Sequence, residues 1–463
     1  MSTKKTDYLI VGAGAMGIAF ADELFNHDPT LTLTIVDKRP AFGGHWNDDY
    51  DFVCLHQPAA FYGVNSLPLG KNGTDLSSKE EILEYYDTIR RKFESSKRVE
   101  FLGEHQYLGN QKVGKVGQPD RYIQYEVRKK VVDARYMNVQ IPATHAPKFE
   151  ADAAATVLPI NDLVHQHAKW ENFCVIGGGK TGIDAVLFLL NEGVAPQNIQ
   201  WVVPNDAWIF NRSHIQIGKV TKEIVTHAEL MSRANEADEV FLEMEKRGGI
   251  LRLDQNVLPT KWRCATVSTS ELQQLRTVKQ VIRKGRVRKI TATEIELDKG
   301  NISYADSTLF VNCTANALSK REARPIFTEG LITLQSVYFC QQVFSAALLG
   351  RLELSNLSDE EKNNIQPVPH PELKEDWPHV LLITLRNLLQ FNRVAPLWLF
   401  KARLNFMSHE SLLQFIHYNI RAVLTYAPLN RAVAKMKKQA NLAHTTQQDE
   451  TTHASPVSDR ATV

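Results

Sequence analysis

The sequence predicts an α/β chain made of two β-α-β units in tandem, followed by a helical C-terminal extension. Three observations carry that prediction. Residues 7–12, DYLIVG, and residues 173–177, FCVIG, are apolar runs ending on glycine, each followed by an apolar-periodic helix and a second apolar run, LTLTIVD or IQWVV. Residues 286–315, RVRKITATEIELDKGNISYADSTLFVNCTA, alternate with a period of two around a DKGN turn, as a hairpin leading into a buried strand does. Beyond about residue 350 the chain turns to Leu-, Phe- and Arg-rich helical stretches such as HVLLITLRNLLQF and SLLQFIHYNIRAVLTYA.

A chain of 463 residues exceeds one ordinary core, so two or three domains are expected. With 54 Lys+Arg against 52 Asp+Glu, 43% hydrophobic and 23% charged residues, it is neither disordered nor an electrostatic surface for nucleic acid. No apolar run approaches the ~20 residues that span a bilayer. The opening MSTKKTDYLIVGAGAMG enters a glycine turn without a small-residue cleavage site, so a cytoplasmic protein with no transmembrane segment is expected. The five cysteines, Cys54, Cys174, Cys264, Cys313 and Cys340, contain no CxxC pair and read as small buried hydrophobes in a reducing compartment.

Between the two units, SSKEEILEYYDTIRRKFESSK reads as a serine-capped helix, and RYIQYEV and KKVVDA read as strands. A polar helical stretch is expected near 219–247. From about 440 the polar composition predicts a disordered tail.

The first turn, Gly12-Ala13-Gly14-Ala15-Met16-Gly17, matches G-x-G-x-x-G after a strand and before a helix, the Rossmann context that motif requires. Gly12 allows the tight turn, Gly14 lets a pyrophosphate approach the backbone, and Gly17 lets the helix pack on the sheet with its N–H groups facing the anion. Asp37, twenty residues after Gly17 and followed by Lys38, stands where a carboxylate accepts hydrogen bonds from an adenosine ribose.

The second turn, Gly177-Gly178-Gly179-Lys180-Thr181-Gly182, has the same spacing. Its GKT is not a P-loop, because the required glycine falls on Cys174. Gly177, Gly179, Gly182 and Lys180 are therefore placed at a second dinucleotide. Arg212, beyond IQWVV, pairs with a 2′-phosphate on one reading, which favours NADPH over NADH; Asp206 argues the other way, and a surface arginine is the alternative.

Two dinucleotide turns about 165 residues apart resemble the two-dinucleotide-binding flavoproteins. Gly43-Gly44-His45-Trp46 resembles the GGxW of the class B flavin monooxygenases, over roughly residues 5–350. The resemblance implies FAD on the first unit and NAD(P)H on the second, with Gly44 and Trp46 at the flavin. It implies that the strand in 306–315 returns to the flavin domain, with Thr314 in a polar turn by the flavin phosphates. The loop GGHWNDDYDFVCLHQP is placed against the flavin ring, which makes Trp46, His45, His56 and Gln57 the candidates to tune it, with loop packing as the alternative. THAPKF, 144–149, reads equally as cleft lining or as a crossover linker.

One departure counts against oxygen insertion. The family's F-x-G-x-x-x-H before an aromatic becomes Ile160, Asp162 and Gln166 in the register ending on Trp170, and His165 and His167 flank the histidine position without filling it. Those two diverge on a helix and are not read as metal ligands.

The expected division is an FAD-binding domain in 1–165 and 306–350, an NAD(P)H-binding domain in 171–305, a helical cap in 351–438 and a disordered tail in 439–463. The expected activity is hydride transfer from NAD(P)H to flavin with monooxygenase-like oxidation of a small substrate, molecular oxygen being a possible co-substrate. The rivals are a reductase with another acceptor and a non-catalytic redox sensor. The C-terminal helices are open to three roles, lid, homo-oligomer contact or membrane-surface contact, with simple packing on the core as the alternative.

Overall fold

The computed structural model describes residues 3–71, 75–315 and 321–453. Its first sheet is ordered β19-β20-β6-β1-β2-β3, from β1 (Lys4–Val11), β2 (Leu33–Val36), β3 (Val99–Leu102), β6 (Gln118–Asp133), β19 (Phe327–Thr328) and β20 (Leu331–Thr333). Its centre is parallel: Tyr8 registers with Leu33 and Leu9 with Val131. The hairpin β4 (His105–Gly109) and β5 (Lys112–Lys115) hangs off β6. β1 is buried from Thr6 to Val11, consistent with a strand covered on both faces.

The second sheet is parallel throughout, in the order β14-β10-β9-β18-β8, from β8 (Val157–Pro159), β9 (Asn172–Ile176), β10 (Ile199–Val202), β14 (Gln280–Ile282) and β18 (Thr308–Asn312). Two small sheets flank it. One is β12-β11-β13, with β11 (Ala207–Asn211), β12 (Ile250–Leu251) and β13 (Lys261–Val267); the other is β17-β16-β15-β7, with β7 (Glu150–Ala151), β15 (Val287–Ile290), β16 (Glu294–Leu297) and β17 (Gly300–Ser303).

One expectation is corrected. The strand in 306–315 does not return to the first unit: β18 lies inside the second sheet, with Phe310 registered on Cys174 and Val157. All five of its residues are buried, and flanking strands on both edges satisfy that apolar run. The chain rejoins the first sheet at β20, where Leu331 registers with Val131. By the same topology β8 and the following helix α3 (Ile160–Gln166), expected within 1–165, belong with the second sheet. Residues 144–148 form an exposed connection between the two units.

Helix α1 (Ala15–His27) follows the first glycine turn, and α2 (Lys79–Ser95) opens on a capping box between Ser78 and Glu81. Helix α4 (Lys180–Asn191) follows the second glycine turn. Helices α5 (Val220–Arg233), α6 (Ala237–Lys246) and α7 (Thr269–Leu275) complete the second unit.

Helix α8 (Gln342–Glu353) packs on α1 so closely that a Cβ at Gly350 would lie 2.9 Å from the Glu23 Cβ. After the short α9 (Asp359–Lys362) come α10 (Trp377–Val394), α11 (Pro396–Lys401) and α12 (Leu412–His453). Trp377 of α10 stacks on Trp262 of β13 at 4.6 Å between ring centroids, which seats the C-terminal helices on the second unit. Helix α12 continues through 439–453, where a disordered tail is expected: a helix already nucleated by packing upstream elongates at one hydrogen bond per residue, even through the threonines of that stretch. Residues 454–463 of that tail lie outside the described residues.

Candidate functional site

The two glycine turns have the same construction. Gly12 and Gly177 both have left-handed φ, +113° and +135°, which favours glycine. Five residues on, a Cβ at Gly17 would fall 2.0 Å from the Gly12 carbonyl oxygen, and one at Gly182 would fall 1.9 Å from that of Gly177, so each helix starts against its own strand end. Gly14 and Gly179 are the N-caps of α1 and α4, in extended conformation, and neither helix start receives a side-chain cap. Neither first turn carries an acid, a feature shared with α8, α10 and α11, so what sets these two helix starts apart is the glycine turn in front of each. Both helices therefore present N–H groups and a positive dipole end that no acid of their own first turn offsets, which fits an anionic pyrophosphate. In front of Gly179 a Cβ would meet nothing within 4 Å.

Asp37, buried at the end of β2, accepts from the Ala13 N–H at 2.7 Å and from the Arg39 N–H at 2.9 Å, so it sits directly on the first glycine turn. Lys38 beside it is exposed. In the second unit Lys180 forms a close ion pair with Asp184, one turn along α4.

Arg212 is neither free for a 2′-phosphate nor a surface residue. Its guanidinium bonds Glu271 at 2.8 Å and donates to the Thr266 carbonyl at 3.1 Å and to the His56 carbonyl at 3.3 Å. The cause is topological: β11, which delivers Arg212, pairs with β13 in a separate small sheet and faces α7 rather than the end of β10. Asp206 is taken by Arg283, at 2.8 Å and 3.1 Å. Thr314 is likewise relocated. Because β18 belongs to the second sheet, Thr314 follows it beside the second glycine turn, and the Cys313 carbonyl would lie 2.9 Å from a Cβ on Gly177. Its hydroxyl donates to Asn312 at 2.6 Å.

The loop carrying the aromatic candidates spans both glycine turns. At its start Gly44 rests on Gly14, where an added Cβ would be 2.8 Å from the Gly14 Cα, and the Gly43 N–H donates to the Ala13 carbonyl at 3.0 Å. Further along, the Tyr50 hydroxyl donates to Asp184 of α4, and Phe52 stacks on Phe188 of the same helix at 4.3 Å. The His56 carbonyl then meets Arg212 and Thr266.

Trp46 is buried with His45 stacked at 5.5 Å, and its indole N–H donates to the Tyr62 hydroxyl at 2.6 Å. Burial, with Arg39 nearby, pushes the His45 imidazole down to about 4. Burial, with Lys180 and Arg212 beside it, pushes His56 down to about 3. Both are therefore neutral near pH 7, and the buried His56 Nδ1 has no partner among the described residues. Gln57 follows, half-buried.

Several residues in this region carry no sequence signal of their own. Asp49, buried beside Tyr50, is lifted by burial, and further by Asp184, to about 6. Arg403, from the segment between α11 and α12, reaches into the first unit and donates to the carbonyls of Ala60 at 2.6 Å, Tyr62 at 2.8 Å and Val64 at 2.6 Å. The C-terminal helices thus hold the segment that supports Trp46.

No family model matches the chain. It is similar to the polycyclic ketone monooxygenase of Thermothelomyces thermophila, with a TM-score of 0.51 at 12% identity over 92% of this chain and 89% of that one, so the fold is that of the two-dinucleotide-binding monooxygenases. The oxidoreductase CzcO of Bacillus subtilis is 22% identical over 194 residues, 41% of this chain and 53% of CzcO. The Mycobacterium tuberculosis protein Rv2000 is 34% identical over 425 residues, 88% of this chain and 78% of its own length. At that identity and coverage, the chain belongs to the Rv2000 family.

Proposed function

We propose that the chain is an FAD-dependent, NAD(P)H-oxidising oxidoreductase acting on a small organic substrate in a monooxygenase-like manner. One observation carries the reading: two uncapped, acid-free helix starts on glycine turns, each following a parallel-paired strand of its own sheet, are bridged by a single aromatic loop. Bound flavin supplies the hydride acceptor for nicotinamide and, once reduced, an electron donor to oxygen or another acceptor.

The residues of this chain do the rest. The α1 and α4 N-termini bind the two pyrophosphates, with Gly12, Gly14, Gly17, Gly44 and Asp37 on the FAD side and Gly177, Gly179, Gly182 and Thr314 on the NAD(P)H side. Trp46 and the neutral His45 wall the flavin side, and Trp46 is anchored through Tyr62 to the segment that Arg403 fixes. His56 keeps a buried ring nitrogen with no partner among the described residues, beside Lys180 and Arg212 of the second unit. Asp49 holds a proton up to about pH 6 beside the bridge. Five free cysteines suit a reducing, cytoplasmic setting.

A second reading, reductase with an acceptor other than oxygen, is favoured by Ile160, Asp162 and Gln166 in the register where the resemblance calls for Phe, Gly and His. The purified protein is expected to be yellow and to bleach anaerobically with NADPH or NADH; a colourless chain that takes up no FAD overturns both readings. Oxygen appearing in an organic product supports the first reading, and reduced flavin that is reoxidised faster by an added quinone than by oxygen, with no oxygenated product, supports the second.

A further inference from the structure

Helix α12 is apolar on both sides. Its inner side, with Phe415, Tyr418, Thr425, Leu429 and Val433 buried, packs against α5 and α10 and is fastened by Arg421 on Glu229 at 2.7 Å. Its outer side exposes Leu413 at 80%, Leu424 at 69% and Ile420 at 55%, with Ile416, Val423 and Leu412 beside them. Positions 413, 420 and 424 are seven and eleven residues apart, two and three turns along one line of the helix. A soluble helix that is hydrophobic all round normally has both sides covered.

The patch extends to α11. Phe400 meets Phe415 at 5.0 Å and Asn392 meets Asn419 at 3.4 Å, so the end of α10 and α11 lie alongside α12 and add the exposed Val394 and Leu397 next to it.

Charge identifies what covers it. Residues 377–437 contain eight lysines and arginines against one acid, Glu410, in a chain whose net charge is only +2, and Glu410 is buried. Arg393, Lys401 and Arg431 are exposed and have no ion pair among the described residues, and Arg431 continues the line through Leu413, Ile420 and Leu424. A second copy is a poor fit, since a two-fold contact would press this face, which has no acid from 411 to 437, against its own cations. No helix among the described residues is long and apolar enough to cross a membrane, so the face can lie on a bilayer without spanning it. We infer that the outer face of α12, with Leu397 of α11, docks on an anionic lipid bilayer surface, its leucines and isoleucines entering the headgroup boundary while Arg393, Lys401 and Arg431 meet lipid phosphates.

The inference is independent of the redox reading, because vesicle binding is measured without turnover. The full chain is mixed with vesicles of phosphatidylglycerol and phosphatidylcholine, or of phosphatidylcholine alone, and the bound fraction is read by co-sedimentation at low and high salt. Expected results are binding to the phosphatidylglycerol vesicles, weakening with salt, and at least about tenfold weaker partitioning for the double variant Leu413→Ser/Leu424→Ser. Arg393→Glu/Lys401→Glu should weaken binding to anionic vesicles and leave circular dichroism unchanged. Failure of the wild-type chain to bind anionic vesicles, or equal binding to neutral ones, overturns the inference. So does a dimer, seen by sedimentation equilibrium, that the double leucine variant dissociates.

Discussion

The Tyr50 hydroxyl, on the loop that follows β2 and rests on the first glycine turn, donates at 2.5 Å to the Asp184 carboxylate, one turn into the helix that leaves the second. The same carboxylate holds Lys180, so the second turn, its lysine and the aromatic loop share one oxygen pair. Tyr50→Phe removes a hydrogen bond to a charged acceptor, worth roughly 1.5–3 kcal/mol. Stopped-flow reduction of the flavin by NAD(P)H should slow while flavin content stays that of the wild type. Unchanged reduction kinetics would leave the bridge a purely structural contact.

Gly179 and Gly182 should separate ligand binding from folding. A methyl at 179 enters open space, so Gly179→Ala should keep the wild-type Tm and flavin content yet bind NAD(P)H about tenfold more weakly, a loss of about 1.4 kcal/mol. A methyl at 182 collides with the Gly177 carbonyl at 1.9 Å, so Gly182→Ala should lower Tm or fail to fold. Nucleotide titration and thermal melts of both variants check the contrast.

Asp49 is lifted from 3.8 to about 6, so the folded chain holds this proton more tightly than the unfolded chain. The resulting stabilisation is complete below about pH 4 and is lost as pH rises through about 6. Relative to Asp49→Asn, the wild type should lose on the order of 2–3 kcal/mol across that window. Urea midpoints at pH 4, 5, 6 and 7 measure the difference. Parallel pH profiles for the two proteins would place the titration elsewhere.

Arg403 supplies three hydrogen bonds to main-chain carbonyls that have no other side-chain donor among the described residues. Arg403→Met keeps much of the volume and removes the donors, and should cost about 3 kcal/mol in unfolding free energy while raising the rate of flavin release. Lysine, with one compact cation in place of a planar fork, should restore only part. Denaturant unfolding with flavin fluorescence as the probe follows both effects.

Arg212→Ala tests the relocation of that residue. The ratio of NADPH to NADH reduction rates should stay as in the wild type, while Tm falls because Glu271 and the His56 carbonyl each lose a donor. A selective loss of NADPH affinity would return Arg212 to the nucleotide.

The parts of this architecture legible in the sequence are those governed by short-range rules. Gly12, Gly17, Gly177 and Gly182 announce themselves because only glycine suits a positive φ or leaves room for a carbonyl, and Ser78 with Glu81 marks a helix start. Strand membership follows different rules. The run TLFVN is equally apolar in either sheet, and only the pairing of Phe310 with Cys174 decides between them; the misplacement of Thr314 follows from that one choice. The partner of Arg212 is not legible in the sequence because Glu271 lies far along the chain, on α7. Asp49, Asp184 and Arg403 occupy no motif, and their roles arise from burial and from neighbours in another unit.

The late arrival of β20 affects how the chain can be made. β20 closes the edge of β6 by pairing Leu331 with Val131, and the entire second unit is synthesised between those two residues. During translation the first sheet therefore waits with an unpaired parallel edge at Val131 and Val132, both buried in the finished fold, until the second unit has emerged. Such long-range parallel pairing is intrinsically slow. The nascent chain consequently exposes an adhesive strand during the interval in which most of its polypeptide is still being added, and expression at lower temperature or with chaperones should raise the soluble yield more for this chain than for its second unit produced alone.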